Sequence, residues 1–242
     1  VQTLDLHGSK LSIVTITLNE ENAVEKVISD LRKIIGDAEI VVVDSSTDRT
    51  PEIAERAGCK VIRQFPPRGY GNALDTGFKA ATGDIVITLD CDDTYPVETI
   101  YPLVEKIAQG YDVVSASRLG KRPSAMPLSN YLANRAFAFI ATWLCGAPNT
   151  DVHTGMRAYR ASVLKELNYD AAPPALPVEL YVGAVRHGYK CAEIFLDYRI
   201  RVGDSKLQKL TGTYWTLVRL WKWRRFKTVI MQKRAHETGH TI

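Results

Sequence analysis

Leu11-Ser-Ile-Val-Thr-Ile-Thr-Leu18 is a short β-branched run, and Asn19-Glu-Glu-Asn22 after it is a polar turn. From Ala23 to Ile35 the apolar positions Val24, Val27, Ile28, Leu31 and Ile35 recur at helical spacing, so the opening reads strand, loop, helix. The same alternation continues. Glu39-Ile-Val-Val-Val43 predicts a second strand ending at Asp44, and Pro51 opens a helix over 52–57. A third strand is predicted over 60–63, a helix over 72–81 and a fourth strand over 84–89, continuous in apolar residues as a strand buried on both faces is. The second half is less regular, with strands over 111–116 and 191–198 and helices beginning near Pro96 and over 128–144, 177–187 and 206–226.

Strands alternating with helices predict an α/β fold, a Rossmann-like arrangement with a mostly parallel central sheet and right-handed crossovers. In such sheets ligands collect at the carboxyl ends of the strands. The residues just beyond those ends, Asn19-Glu20, Asp44 and Asp90-Cys-Asp-Asp93, are therefore expected to line one crevice.

Composition narrows the picture. The 45% hydrophobic and 24% charged residues of a 242-residue chain describe a globular protein with a full core. The net charge of +4 is uneven: from Arg199 to Arg234 eleven Lys/Arg face a single acid, Asp204, so the remainder is net acidic. A basic end on an acidic body suits an anionic partner, a membrane surface or a phosphorylated ligand, or else a solvated helix. Basic charge confined to one end speaks against a nucleic-acid binder. The four cysteines lie far apart with no metal-ligand spacing, which predicts reduced thiols in a cytoplasmic protein. The first residues lack the basic and apolar regions of a signal peptide, and the apolar stretch 136–147 is too short to span a bilayer, so any membrane contact is expected to be peripheral.

Asp90, Asp92 and Asp93 put three acids within four residues at a strand end, where like charges disfavour joint ionisation unless a cation joins them. A calcium hand fails, because its sixth and twelfth positions from Asp90 are Tyr95 and Tyr101. No G-x-G-x-x-G follows the first strand and no G-K-[ST] is present. What remains is a D-x-D suited to Mg or Mn, with ligand phosphates and water completing the shell.

Taken in order, SIVTITLNEEN, VVVDSSTDRT, GYGNALDTGFKAATGD, LDCDDTYP, Ser117-Arg118, DVHTGMRAYR, PVELYVGAVRHGYK and RVGDSKL resemble the family 2 glycosyltransferases of GT-A fold, specifically the polyprenyl-phosphate (dolichyl-phosphate) hexosyltransferases. The resemblance covers about 11–223. It implies transfer of mannose or glucose from GDP-mannose or UDP-glucose to a polyprenyl phosphate, with inversion. It assigns Asn19, Glu20 and Asp44 to the donor nucleotide, and Asp90 and Asp92 to nucleotide and metal with Thr94 beside them. Arg201, Ser205 and Lys206 would close over the diphosphate, and Arg118 and Arg135 would hold the acceptor phosphate, with Asp92, Arg118 and Arg135 as the catalytic set. Glu179 matches a recurrent acid of the family, without a role. On this reading 1–10 is an extension, 11–226 the transferase domain with a basic amphipathic segment over 199–226, and 227–242 a tail. Arg135 precedes the apolar run 136–144, which reads as core or as a lipid-facing surface. Trp215, Trp221 and Trp223 among Arg219, Lys222, Arg224 and Arg225 suit an anionic lipid interface on the cytoplasmic face. Two alternatives stay open: a family 2 transferase acting on a sugar hydroxyl or soluble glycan, and a non-catalytic nucleotide-sugar-binding protein.

Overall fold

The computed structural model describes residues 4–202 and 209–225. Seven strands form one sheet in the order β3-β2-β1-β4-β6-β5-β7. These are β1 (Leu11–Thr17), β2 (Glu39–Asp44), β3 (Lys60–Arg63), β4 (Ile85–Thr88), β5 (Val113–Ser117), β6 (Arg157–Arg160) and β7 (Cys191–Phe195). All pairings are parallel except those of β6, which is antiparallel to both β4 and β5. β6 carries no apolar run of its own, since Arg157-Ala-Tyr-Arg160 has two arginines in four residues, and it is a strand only because a neighbour on each side completes its hydrogen bonds.

Among the described residues eight helices cover the sheet: α1 (Val24–Ile35), α2 (Thr50–Arg56), α3 (Tyr70–Ala80), α4 (Ile100–Ala108), α5 (Leu128–Cys145), α6 (Ala161–Glu166), α7 (Leu176–Arg186) and α8 (Lys209–Trp223). A 3-10 turn, Val97–Thr99, leads into α4. The period-2 alternation of the strands divides the core. Ile13, Ile40, Val42, Ile85 and Ile87 face α1, α2 and α4, whereas Val14, Val41, Val43 and Val86 face α3 and the later helices. Because both faces are covered, the central strands carry no charged face: the polar residues inside β1, β4 and β5 are Ser and Thr, and the acids of β4 fall beyond its end.

The long helix α5 is inverted relative to a core helix. Its small residues Ala138, Ala141 and Cys145 are buried, while Phe139 (70%) and Trp143 (77%) are exposed, together with Leu128 and Leu132. The run 136–144 is therefore divided: Ala138 and Ala141 are buried with Phe137, Ile140 and Leu144 packed toward the core, while Phe139 and Trp143 face outward. In α8 the faces divide as sharply: Leu210, Tyr214, Leu217 and Trp221 are exposed, and Thr216, Arg219, Leu220 and Trp223 are buried. Trp223 and Arg219, expected at a lipid interface, turn inward instead. Trp223 packs on Gly183 and edge-on to His187, and Arg219 pairs with Glu179 and donates to the carbonyls of Asp170, Pro173 and Pro174. Glu179, buried and bonded as well to Lys222 Nζ at 2.7 Å, thus anchors α8 to α7.

Gly77 of α3 lies where a Cβ would run into Val14 Cγ1 and touch Val43 Cγ2 at 3.4 Å, so the helix rests directly on β1 and β2. Gly77→Ala is expected to destabilise the fold by about 1–3 kcal/mol, since neither backbone can yield. A thermal melt checks this, with a fall in Tm of about 2–4 °C per kcal/mol at this chain length.

Candidate active site

The register places the ends of β1, β2 and β3 side by side, with Thr17 opposite Asp44 and Asp44 opposite Arg63. Asp44 is fully enclosed and both of its oxygens are engaged. Oδ1 accepts from Thr17 Oγ1 and Ser46 Oγ, each at 2.6 Å, and Oδ2 accepts from Ser46 N at 3.0 Å and from Arg63 Nη1. Arg63 also donates to the Ser46 carbonyl. Asn19 sits in the left-handed region at φ 58°, which Asn tolerates, and joins the β1 end to this loop. Its N–H donates to Ser46 Oγ at 2.7 Å and its Oδ1 accepts from Thr47 N at 2.8 Å.

Beyond β4 stand the paired acids. Asp92 is buried and accepts from Thr94 Oγ1 at 2.6 Å, so enclosed Thr94, anticipated beside the metal, spends its hydroxyl proton orienting that carboxylate. Arg201 lies across the pair of loops, with Nη1 2.8 Å from Asp92 Oδ2 and Nη2 2.9 Å from Glu20 Oε1. Backbone bonds from Arg199 N to Thr94 O and from Val202 N to Asp92 O, both 3.0 Å, tie the segment 199–202 onto the acid loop. Asp93 points away, to Lys26 Nζ at 2.8 Å. Half-buried Asp90 accepts a long bond from Tyr70 Oη, 3.4 Å. Burial and then the Asp92 charge push the Asp90 carboxyl up to about 7, against the opposing pull of Arg118 and Arg201.

That electrostatic deficit is what a divalent cation relieves. Among the described residues no group of three or more His, Cys, Asp or Glu gathers as a complete metal cage. Two carboxylates at one strand end fit a hard ion whose remaining ligands come from phosphate and water.

Because β6 runs antiparallel, the residues before it share an edge with the residues after β4 and β5. This brings the 151–156 segment into the site. Gly155 is pinned by its N–H to Tyr95 Oη at 2.8 Å and by its carbonyl to Thr88 Oγ1 at 2.7 Å, against the Asp90 carboxylate. Arg118, just beyond β5, pairs with buried Asp151 through Nε–Oδ2 at 2.6 Å and Nη2–Oδ1 at 2.9 Å, and lies over the Tyr198 ring. Burial would raise the Asp151 carboxyl, but Arg118 overrides it and holds the group below its usual range. His153 donates through Nε2 to Thr216 Oγ1 at 2.8 Å, because the Thr216 proton goes to the Gly212 carbonyl. Burial pushes its imidazole down to about 4.

Asn19, Glu20, Asp44, Asp90, Asp92, Thr94, Arg118 and Arg201 thus stand along one edge of the sheet. Arg135 does not join them: it lies on the exposed face of α5, and no hydrogen bond or ion pair among the described residues links it to the site. Ser205 and Lys206 lie outside the described residues. Sequence reasoning missed Asp151, Tyr95, Gly155 and Tyr198. Only the motif segments DVHTGMRAYR and LDCDDTYP pointed toward the first three, and nothing local pointed to Tyr198.

The model of the family described as Glycosyl transferase family 2 matches residues 12–167, and the chain belongs to that family. It is a glycosyltransferase of GT-A fold. It is 43% identical over 203 residues to a dolichyl-phosphate hexose transferase of Haloferax volcanii, covering 84% of this chain and 88% of that one. It is 36% identical over 168 residues to an undecaprenyl-phosphate 4-deoxy-4-formamido-L-arabinose transferase of Pseudomonas paraeruginosa, covering 65% of this chain and 49% of that relative. Among solved structures, glucosyl-3-phosphoglycerate synthase of Mycobacterium tuberculosis in complex with Mn2+, UDP and phosphoglyceric acid superposes with a TM-score of 0.72 at 21% identity, over 95% of this chain and 86% of that one.

In Gly155→Ala the new Cβ would lie 2.7 Å from Asp90 Oδ2, and because Gly155 is held on both sides the carboxylate must move. The expected result is a loss of about tenfold in affinity for a Mn2+–nucleoside diphosphate, measured by calorimetry, with little change in Tm.

Proposed function

We propose that the chain transfers a hexose from a nucleotide sugar, GDP-mannose or UDP-glucose, to the phosphate of a polyprenyl or dolichyl lipid, with a divalent metal and with inversion at the sugar carbon. The observation that carries this reading is the pairing of Asp151, the acid beside Arg118. Asp151 is locked to Arg118 and its carboxyl is held low. A sugar hydroxyl needs a general base with a pKa near the working pH. A phosphate monoester, with a second pKa of about 6, is already a dianion and needs only placement. The likeness to a dolichyl-phosphate hexose transferase supports the same acceptor.

In this reading Asp90 and Asp92 hold the metal and the donor diphosphate, and Asn19, Glu20 and Asp44 organise the nucleoside side, Asp44 acting through Ser46 and Arg63. Arg201, with Ser205 and Lys206, meets the diphosphate. A divalent ion held by Asp90 and Asp92 would neutralise charge developing on the leaving nucleoside diphosphate. Arg118 orients the attacking phosphate, and Arg135, set apart on the exposed face of α5, meets it from the lipid-facing side. In a transfer assay with polyprenyl phosphate, Mg or Mn and labelled nucleotide sugars, label is expected in the lipid phase from one donor, and Asp92→Ala is expected to lower the rate by about 100-fold or more. Near wild-type turnover of that variant with unchanged metal dependence would refute the metal role, and label appearing only in added glycans would refute the lipid acceptor.

We place the enzyme at a membrane surface through the exposed residues of α5 and α8. No helix among the described residues is long and apolar enough to cross a membrane. Phe139 and Trp143 on α5 and Trp221 on α8 are exposed, with Arg135 and Lys222 near them in sequence, a mixture of apolar and basic residues of the kind an anionic interface attracts. Phe139→Asp with Trp143→Asp is expected to abolish flotation with anionic vesicles while leaving nucleotide affinity intact.

A further inference from the structure

We propose that Asp151 is a positioning residue that fixes the Arg118 guanidinium, so that the donors it does not engage, Nη1 first among them, are presented to the acceptor. The inference rests on the reading above in which Arg118 meets the acceptor.

Four observations support it. Asp151 binds Arg118 at both ends, through the two parallel guanidinium bonds and through the Arg118 backbone N–H to Oδ2 at 3.2 Å. Both partners are withdrawn from water, Asp151 completely, so nothing competes for those bonds. Asp151 is itself placed by Glu193 of β7, whose Oε1 accepts from Thr150 N at 2.9 Å and Asp151 N at 3.3 Å, and whose Oε2 accepts from Thr150 Oγ1 at 2.7 Å. The guanidinium lies over Tyr198, which stacks edge-on against Tyr95, the residue that holds Gly155 beside Asp90. The acceptor arginine and the donor acid therefore hang on one scaffold.

The pairing changes what Arg118 contributes. With Asp151 the pair carries no net charge, so Arg118 supplies direction rather than attraction. Replacing Asp151 by Asn leaves an unneutralised, less constrained cation. Acceptor KM is then expected to rise by about tenfold and to become more salt-dependent, while donor affinity holds within about twofold.

The test compares wild type, Asp151→Asn, Arg118→Ala, the double variant and Glu193→Gln. Acceptor KM is measured at two salt concentrations and nucleoside diphosphate affinity is measured with Mn2+. The double variant is expected to be no worse than Arg118→Ala alone, and Glu193→Gln is expected to raise acceptor KM without touching donor affinity. Losses that multiply in the double variant, or donor affinity falling in step with acceptor KM, would overturn the proposal and leave Asp151 an element of the fold. Glu193→Gln combined with Arg118→Ala decides by the same criterion if Asp151→Asn does not fold. If wild type glycosylates a glycan rather than the lipid phosphate, the acceptor assigned above falls, and the same comparison with the glycan as acceptor still decides the role of Asp151.

Discussion

A carboxylate removed from water is tolerated only with a cation and hydrogen bonds around it. Four such carboxylates are each met by arginine: Asp44 by Arg63, Asp92 by Arg201, Asp151 by Arg118 and Glu179 by Arg219. Breaking one pair leaves a buried charge uncompensated, at a cost of about 3–5 kcal/mol. The pairs differ in what they hold. Asp44 with Arg63 closes the β2–β3 edge, Glu179 with Arg219 fastens the last helix to the body, and the other two stand at the site. Asp90, half-buried beside Asp92, is paired with no arginine among the described residues, and burial and that neighbouring charge raise its carboxyl.

The second determinant is the reversed strand β6. In a wholly parallel sheet the strand ends at the carboxyl edge come from β-to-α turns alone. An antiparallel strand contributes its entry segment to that same edge. Asp151, His153 and Gly155 are thereby set against Arg118 and Asp90, which they could not reach from a parallel β6. Groups that follow β4 and β5 and groups that precede β6 become neighbours through this one reversal.

The helices α5 and α8 both leave large apolar side chains exposed. A helix that buries alanines and exposes phenylalanine and tryptophan gains little in water, and a contiguous exposed apolar face marks an interaction surface. The buried face of α8 is held by Arg219 and by Trp223, so the surface that carries Trp221 is firmly attached to the body that carries the site.

By itself the sequence determined the alternation of strand and helix through the first ninety residues, because burial on both sheet faces writes continuous apolar runs and leaves acids to the strand ends. It also marked Asp90 and Asp92, since acids clustered after a buried strand are costly without a cation. It did not disclose β6, whose four residues have no period of their own, nor the partners of Arg118 and Glu179, 33 and 40 residues away along the chain. Trp223 and Trp221, two residues apart in one basic and aromatic segment, read alike in sequence, and only packing sent one inward at 2% exposure and left the other outside at 61%. Local pattern encodes which segments bury apolar surface. Which charges meet, and which side of an amphipathic helix finds a neighbour, is decided only when distant segments close on one another.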